Sequence, residues 1–350
     1  MNDYVSKIAE AWDASPLNYL RVGILVTVLS FLFTGVPVQY PGWILLVFNV
    51  LIVNFVLYGI LLLGLNLQYG YAGIVNFGPV LFFALGAYTV AIVSAESTFT
   101  DIGMGLPWYL GVAAAIAVVL VVAFIISLST IQLRGDYLAV VTLAAAQIFH
   151  EMSIGLTSTL GGNIGIPGIP RIFHDVAPDA FSAGLVAFCA LSGLLIISYA
   201  IVQRLGESPF GRVLRGIRDD ETAVTFLGKD VFTYKVKTFL IGSVLMGIAG
   251  AILGLVTGGV SPGYVTIDVT VLVWVGMLIG GAGNNKGVLV GLLTISSFQL
   301  FTRFANQSVP VSSETFASLR LMAIGLLMIL IIVYRPQGIF GDRKKLDVEA

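Results

Sequence analysis

Charge is scarce in this chain: Asp, Glu, Lys and Arg make up 11% of its 350 residues, where a water-soluble domain carries about 25%. That scarcity excludes a soluble globular body. A formal net charge of −1 also removes the basic field that binding to nucleic acid requires. Cysteine is almost absent. The single Cys189 lies inside an apolar run, which excludes an internal disulfide and a cysteine-ligated metal cluster. The two histidines, His150 and His174, are too few and too far apart for a metal site of usual spacing. A phosphate-binding loop is missing too, since the segment around Lys286 lacks the Gly-Lys-Ser/Thr ending that cradles phosphate and holds magnesium. No cluster of polar groups offers an intramembrane enzyme its catalytic seat. The start, MNDYVSKIAEAWDASPLNYL, lacks the compact apolar core and cleavage site of a signal peptide, so the first apolar run is expected to be retained.

What the chain has in abundance is apolar sequence. Hydrophobic residues make up 57% of it, and its mean hydropathy is +0.98. Several runs approach or exceed the roughly 20 residues needed to cross a hydrocarbon core. The expected fold is therefore an all-α polytopic membrane protein. Candidate spans are 20–33, 43–65, 72–93, 108–130, 136–155, 181–202, 238–257, 268–280, 287–301 and 317–334, about ten transmembrane helices.

Basic residues fix the orientation, because they collect on the cytoplasmic side. With the loop 203–237 placed inside, the positions Lys7, Arg21, Arg134, Lys286, Arg335, Arg343, Lys344 and Lys345 fall inside as well. Fifteen of the eighteen basic residues then share one face, and only Arg171, Arg303 and Arg320 remain near the other. Both termini are expected to be cytoplasmic. The organisation is a cytoplasmic N-terminal segment (1–19), a first transmembrane helix group (20–203), a cytoplasmic loop (204–237), a second helix group (238–334) and a cytoplasmic tail (335–350).

Two glycine-rich interruptions break the apolar pattern. The first, 64–79 (GLNLQYGYAGIVNFGP), sets Asn66, Gly70, Gly73 and Asn76 beside or within the bilayer; the second is 280–287 (GGAGNNKG). Non-helical backbone at membrane depth persists only where protein or a water-filled cavity satisfies it. Paired interruptions in two halves point to a substrate path between repeats. Ordinary turns whose glycines let helices pack closely are the alternative. Asn66, Gly70, Gly73 and Asn76 are the candidate path residues. The Gly- and Pro-rich loop 161–175 is expected to be non-helical, and it serves either to receive an external partner or as a passive linker. Asp268 is expected to cap a helix, and His150 and Glu151 to form an interfacial pair.

The loop 203–237 (QRLGESPFGRVLRGIRDDETAVTFLGKDVFTYKVK) holds seven of the eighteen basic residues. Ser208 before Pro209 is a helix start, with a hydroxyl to accept a backbone N–H and a proline that forfeits no bond. Phe210, Val213, Leu214 and Ile217 then fall on one face, with Arg212, Arg215 and Arg218 largely on another. Asp219 and Asp220 can cap a second helix, from Glu221 to Leu227, and Gly228 suits its left-handed end. Short helices need a partner surface to be stable. Anionic lipid headgroups would suit the arginines, but they would repel Asp219, Asp220 and Glu221, which favours a protein partner.

These residues resemble the LivM-type permease subunits of branched-chain amino acid ABC importers. The matching stretches are 64–88, 133–143 (LRGDYLAVVTL), 208–237, Ser261 with Pro262, 277–290 (MLIGGAGNNKGVLV) and 334–338 (YRPQG), in the family's order and spacing. The resemblance implies an ABC importer permease fold of the LivM/BtuC-like type in the plasma membrane. It also implies partners: two ATP-binding cassette subunits, a sister permease subunit and an extracytoplasmic solute-binding protein, besides the surrounding membrane lipid. The chain itself would bind no cofactor, with ATP and Mg carried by the partner subunits. Its coupling loop would comprise Arg212, Arg215, Arg218, Asp219, Asp220, Glu221, Ala223 and Gly228. Glu221, Ala223 and Gly228 match a loose E-A-A…G pattern, in which Thr222 holds the middle position. Allied cargoes are urea and short amides. A self-sufficient secondary transporter is the reading from another class, disfavoured because ion-coupled carriers place ionisable residues within their spans.

Overall fold

The computed structural model of the protein describes residues 55–96, 102–130, 135–173, 180–305, 313–334 and 338. The expected segment 1–19, the first span 20–33, residues 43–54 of the second span and the tail 335–350 apart from Gly338 lie outside the described residues, as do Arg134 and His174. The helices are α1 (Tyr58–Leu65), α2 (Pro79–Ser94), α3 (Trp108–Thr130), α4 (Gly135–Gly155) and α5 (Ala180–Glu207). They continue with α6 (Pro209–Asp219), α7 (Glu221–Phe226), α8 (Val231–Thr257), α9 (Ile267–Gly280), α10 (Asn285–Ala305) and α11 (Ser313–Tyr334). A π-helix, Asn66–Tyr71, extends α1. Two-residue strands β1 (Ile166–Pro167) and β2 (Gly259–Val260) pair antiparallel.

Five stretches among the described residues are long and apolar enough to cross a membrane: Trp108–Leu128, Tyr137–Gly155, Ala183–Glu207, Val231–Thr257 and Pro262–Gly280. They divide by burial. The central helix α8 has 72% of its apolar window inside the protein, against 33% for α3 and 28% for α4 and α5. Large exposed apolar side chains such as Val121, Ile125, Val140, Ile196 and Met322 stand on α3, α4, α5 and α11. Helices that are apolar all round yet exposed belong in lipid or against another apolar surface.

Glycine sets how closely α8 approaches its neighbours. A Cβ on Gly250 would lie 1.8 Å from the Phe83 carbonyl oxygen, and one on Gly86 would lie 1.9 Å from that of Gly247. On the α1 side, a Cβ on Gly64 would lie 2.6 Å from the Gly242 carbonyl oxygen. Such backbone-to-backbone contact is how small residues hold helices together where water exclusion gives no drive.

Several boundaries differ from the sequence expectation. The span expected at 72–93 begins as a helix only at Pro79, because Gly73 takes a left-handed φ of 69° and proline opens α2 at its first position. Helix α8 begins at Val231 rather than 238, since the Asp230 side chain accepts from Thr233 N–H and caps it. Asp268 sits in the first turn of α9 and does not cap it; Thr266 occupies the cap position. Glu151 accepts from Gln147 Nε2 at 2.8 Å, while the buried His150 Nδ1 has no hydrogen-bond partner.

The loop after α4 is tied down at the end where α8 finishes. Ile166 of β1 pairs with Val260 and is fully buried, Ile169 N–H donates to the Gly258 carbonyl, and Glu96 N–H donates to that of Gly168. After a four-residue helical turn at Thr157–Leu160 and a 3-10 turn at Gly162–Ile164, its described part, to residue 173, is non-helical yet fixed to the body.

Candidate functional site

At the opposite end of the helices stands the island. Ser208 caps α6 by accepting from Gly211 N–H, with Pro209 at the first helical position. Asp220 accepts from the N–H groups of Thr222 and Ala223 at 2.8 and 3.0 Å and so starts α7. Gly228 closes it in the left-handed region at φ 73°. Asp230 accepts from the Thr233 hydroxyl and N–H, which lowers its carboxyl pKa from the ordinary value.

The island is packed on one side and bare on the other. Leu214 and Ile217 are buried, and Phe210 stacks on Tyr234 of α8 with ring centroids 5.4 Å apart. Val224 is also buried, and Glu221 pairs with Lys235. At the far tip, however, Phe226 is 86% and Leu227 78% exposed. The two adjacent large apolar side chains form an exposed apolar patch.

The structure splits the sequence-derived coupling set. Arg212, Asp219, Asp220, Glu221, Ala223 and Gly228 are exposed on the island's outer side. Arg215 and Arg218 turn inward to the helix bundle. Arg215 donates to the Gly206 carbonyl at 3.1 Å and lies 6.0 Å above the Tyr71 ring. Arg218 donates to the Gly70 carbonyl in the π-helix and pairs with Asp219 at 3.5 Å.

That contact leads into a buried amide network joining the two interruptions. Asn66 Nδ2 donates to Asn285 Oδ1 at 2.7 Å, and Asn66 Oδ1 accepts from Gly283 N–H at 2.8 Å. Asn285 Nδ2 donates onward to Gln203 Oε1 at 2.8 Å. Gln68 Nε2 donates to the Phe239 carbonyl at 2.9 Å, and its Oε1 accepts from Asn76 Nδ2 at 2.8 Å. Asn76 Oδ1 accepts from Gly78 N–H, while its carbonyl accepts from Trp274 Nε1. Asn66, Gln68 and Asn76 are fully buried. Burying four amides costs little only when both ends of each are paired, as here. Of the candidate path residues, Asn66 and Asn76 thus serve as braces. Gly70 lies against Gly283, where a Cβ would meet its nitrogen at 2.5 Å, and Gly73 lies against Arg218.

Gln203, Gln68 and Asn285 were not singled out by the sequence. Their signal was an amide at the mouth of an apolar span, which marks each one without revealing its partner. Among the described residues no group of acidic, His or Cys side chains could hold a metal ion.

Apolar helices long enough to span a bilayer, joined through a capped two-helix arm with an exposed apolar tip, define a polytopic membrane protein with an apolar patch at one end. The chain belongs to the family of branched-chain amino acid transport system permease components, whose profile matches residues 46–332. It is similar to the probable branched-chain amino acid transport permease protein LivM of Methanocaldococcus jannaschii, at 29% identity over 84% of this chain and 93% of that protein. It is similar also to the high-affinity branched-chain amino acid transport system permease protein LivM of Escherichia coli K12, at 30% identity over 81% of this chain and 67% of that one. The permease protein LivH of Salmonella typhimurium shares 23% over 81% of this chain and 91% of its own length. No solved structure matches the chain significantly.

Proposed function

We propose that this chain is one transmembrane half of an ATP-driven importer in the plasma membrane, carrying branched-chain or related small amino acids. It crosses the bilayer about ten times with both termini cytoplasmic, as the positive-inside count favours. Two ATP-binding cassette subunits sit on the cytoplasmic face, one of them docked on the island, and supply the ATP and Mg that this chain does not bind. A sister permease completes the path, and an extracytoplasmic solute-binding protein delivers cargo to the end that carries the β1–β2 pair. The segment with Asn66, Gly70, Gly73 and Asn76 borders the path on its cytoplasmic side, with its amides engaged to one another rather than offered to solute.

The observation that carries this reading is the bare tip of Phe226 and Leu227 on an arm whose other face is packed on the bundle. Closure of the ATP-binding pair would push that arm and rock the helices. The test is uptake of labelled leucine into proteoliposomes holding the permease pair, with and without the ATP-binding subunits. Uptake should require those subunits and internal ATP and ignore ion gradients. Uptake that follows a proton or sodium gradient without them overturns the reading, and uptake of urea in place of leucine overturns the cargo.

A further inference from the structure

We propose that Arg218 is the positioning residue that carries movement of the docking arm into both glycine-rich turns, so that without it ATP is hydrolysed but solute is not moved. This rests on the function proposed above. The guanidinium leaves the last turn of α6 and donates to the Gly70 carbonyl, a contact across 148 residues of sequence. Around it the backbone has been cleared of side chains. A Cβ on Gly73 would lie 3.0 Å from Arg218 Cγ, and one on Gly283 would lie 3.2 Å from its Nη1. Gly73 and Gly283 both hold left-handed backbones, at φ 69° and 90°. Two turns far apart in sequence thus converge on one arginine.

The arginine also has a lever on one side and a load on the other. On the arm side, α6 and α7 meet at Asp220, whose N–H donates to the Gly216 carbonyl while its carboxylate caps α7. Force applied at the Phe226 and Leu227 tip therefore reaches the end of α6. On the membrane side, Gly283 N–H is held by Asn66, and Asn66 by Asn285 at the start of α10. The same π-helix carries Gln68, bonded to α8 through the Phe239 carbonyl. Displacing Arg218 thus pulls on α1, α8 and the α9–α10 turn together. Arg215 holds the arm to its own α5 end at Gly206 and does not bridge the two turns.

The experiment uses the full complex in proteoliposomes with Arg218→Met, Arg218→Gln and Arg218→Lys. It reads three quantities: recovery of the ATP-binding subunits with the permease, ATP hydrolysis, and solute imported per ATP. Methionine and glutamine should leave recovery and hydrolysis near wild type while lowering solute per ATP by about tenfold or more, the scale of one charge-assisted hydrogen bond. Lysine, whose ammonium can still reach the Gly70 carbonyl, should restore much of that ratio. A ratio within twofold of wild type in either neutral variant overturns the proposal. So does loss of the ATP-binding subunits in both, which would make Arg218 part of the docking surface. Failure of the underlying function shows separately, as wild-type uptake that needs no ATP-binding subunit.

Discussion

Truncating Phe226 and Leu227 together to alanine separates the proposed docking surface from the fold. Fully burying a Phe or Leu side chain contributes about 1.5–3 kcal/mol relative to exposure. With 86% and 78% of these residues bare in the free chain, most of that remains to be gained when a partner covers them. The double variant should weaken association with the ATP-binding subunits by about 3 kcal/mol, roughly a hundredfold in Kd. Stability should barely move, because truncating exposed side chains away from packed features changes it by about 0.5 kcal/mol or less. The assay is titration of ATP-binding subunits onto the permease in nanodiscs, paired with a melting curve of the permease alone. An unchanged Kd refutes the reasoning. A drop in Tm equal to that of a core truncation refutes it equally, since the two side chains would then be packed in the free protein.

Helix packing gives a prediction with opposite signs at two glycines. Gly250→Ala sets a methyl 1.8 Å from the Phe83 carbonyl and should lower the Tm, overpacking by about 1–3 kcal/mol outweighing the gain in helix propensity. Gly193→Ala in α5, where nothing lies within 4 Å of the added Cβ, should raise it or leave it unchanged. Asn285→Leu should cost about 1–3 kcal/mol by orphaning the fully buried Asn66 amide. In a double-mutant cycle, Asn66→Leu should then add little; strict additivity of the two melting shifts would refute the network.

Much of this molecule is legible residue by residue. Low charge together with apolar runs about 20 residues long requires a lipid-embedded helical body. The arm is equally local. Ser208 with Pro209, Asp220 and Gly228 act on backbone groups two to four residues away, and the structure places the caps where the sequence puts them. Even the extra turns of α8 trace to a cap, at Asp230, that spacing could have revealed.

Three-dimensional packing decided the rest, for one physical reason: hydrogen-bond partners far apart in sequence leave no periodicity. Arg212, Arg215 and Arg218 look alike as a basic stripe, yet only the folded chain turns two of them inward, to Gly206 and Gly70. The first glycine-rich segment reads equally well as a path lining or a turn, and the second reads better as a turn. Their meeting through Asn66, Gly283 and Asn285 depends on where α1 and α10 come to lie. Sequence determined which groups had to be capped, buried in lipid or left bare, because those demands are met by near neighbours. Tertiary structure decided which distant carbonyl each cation would find.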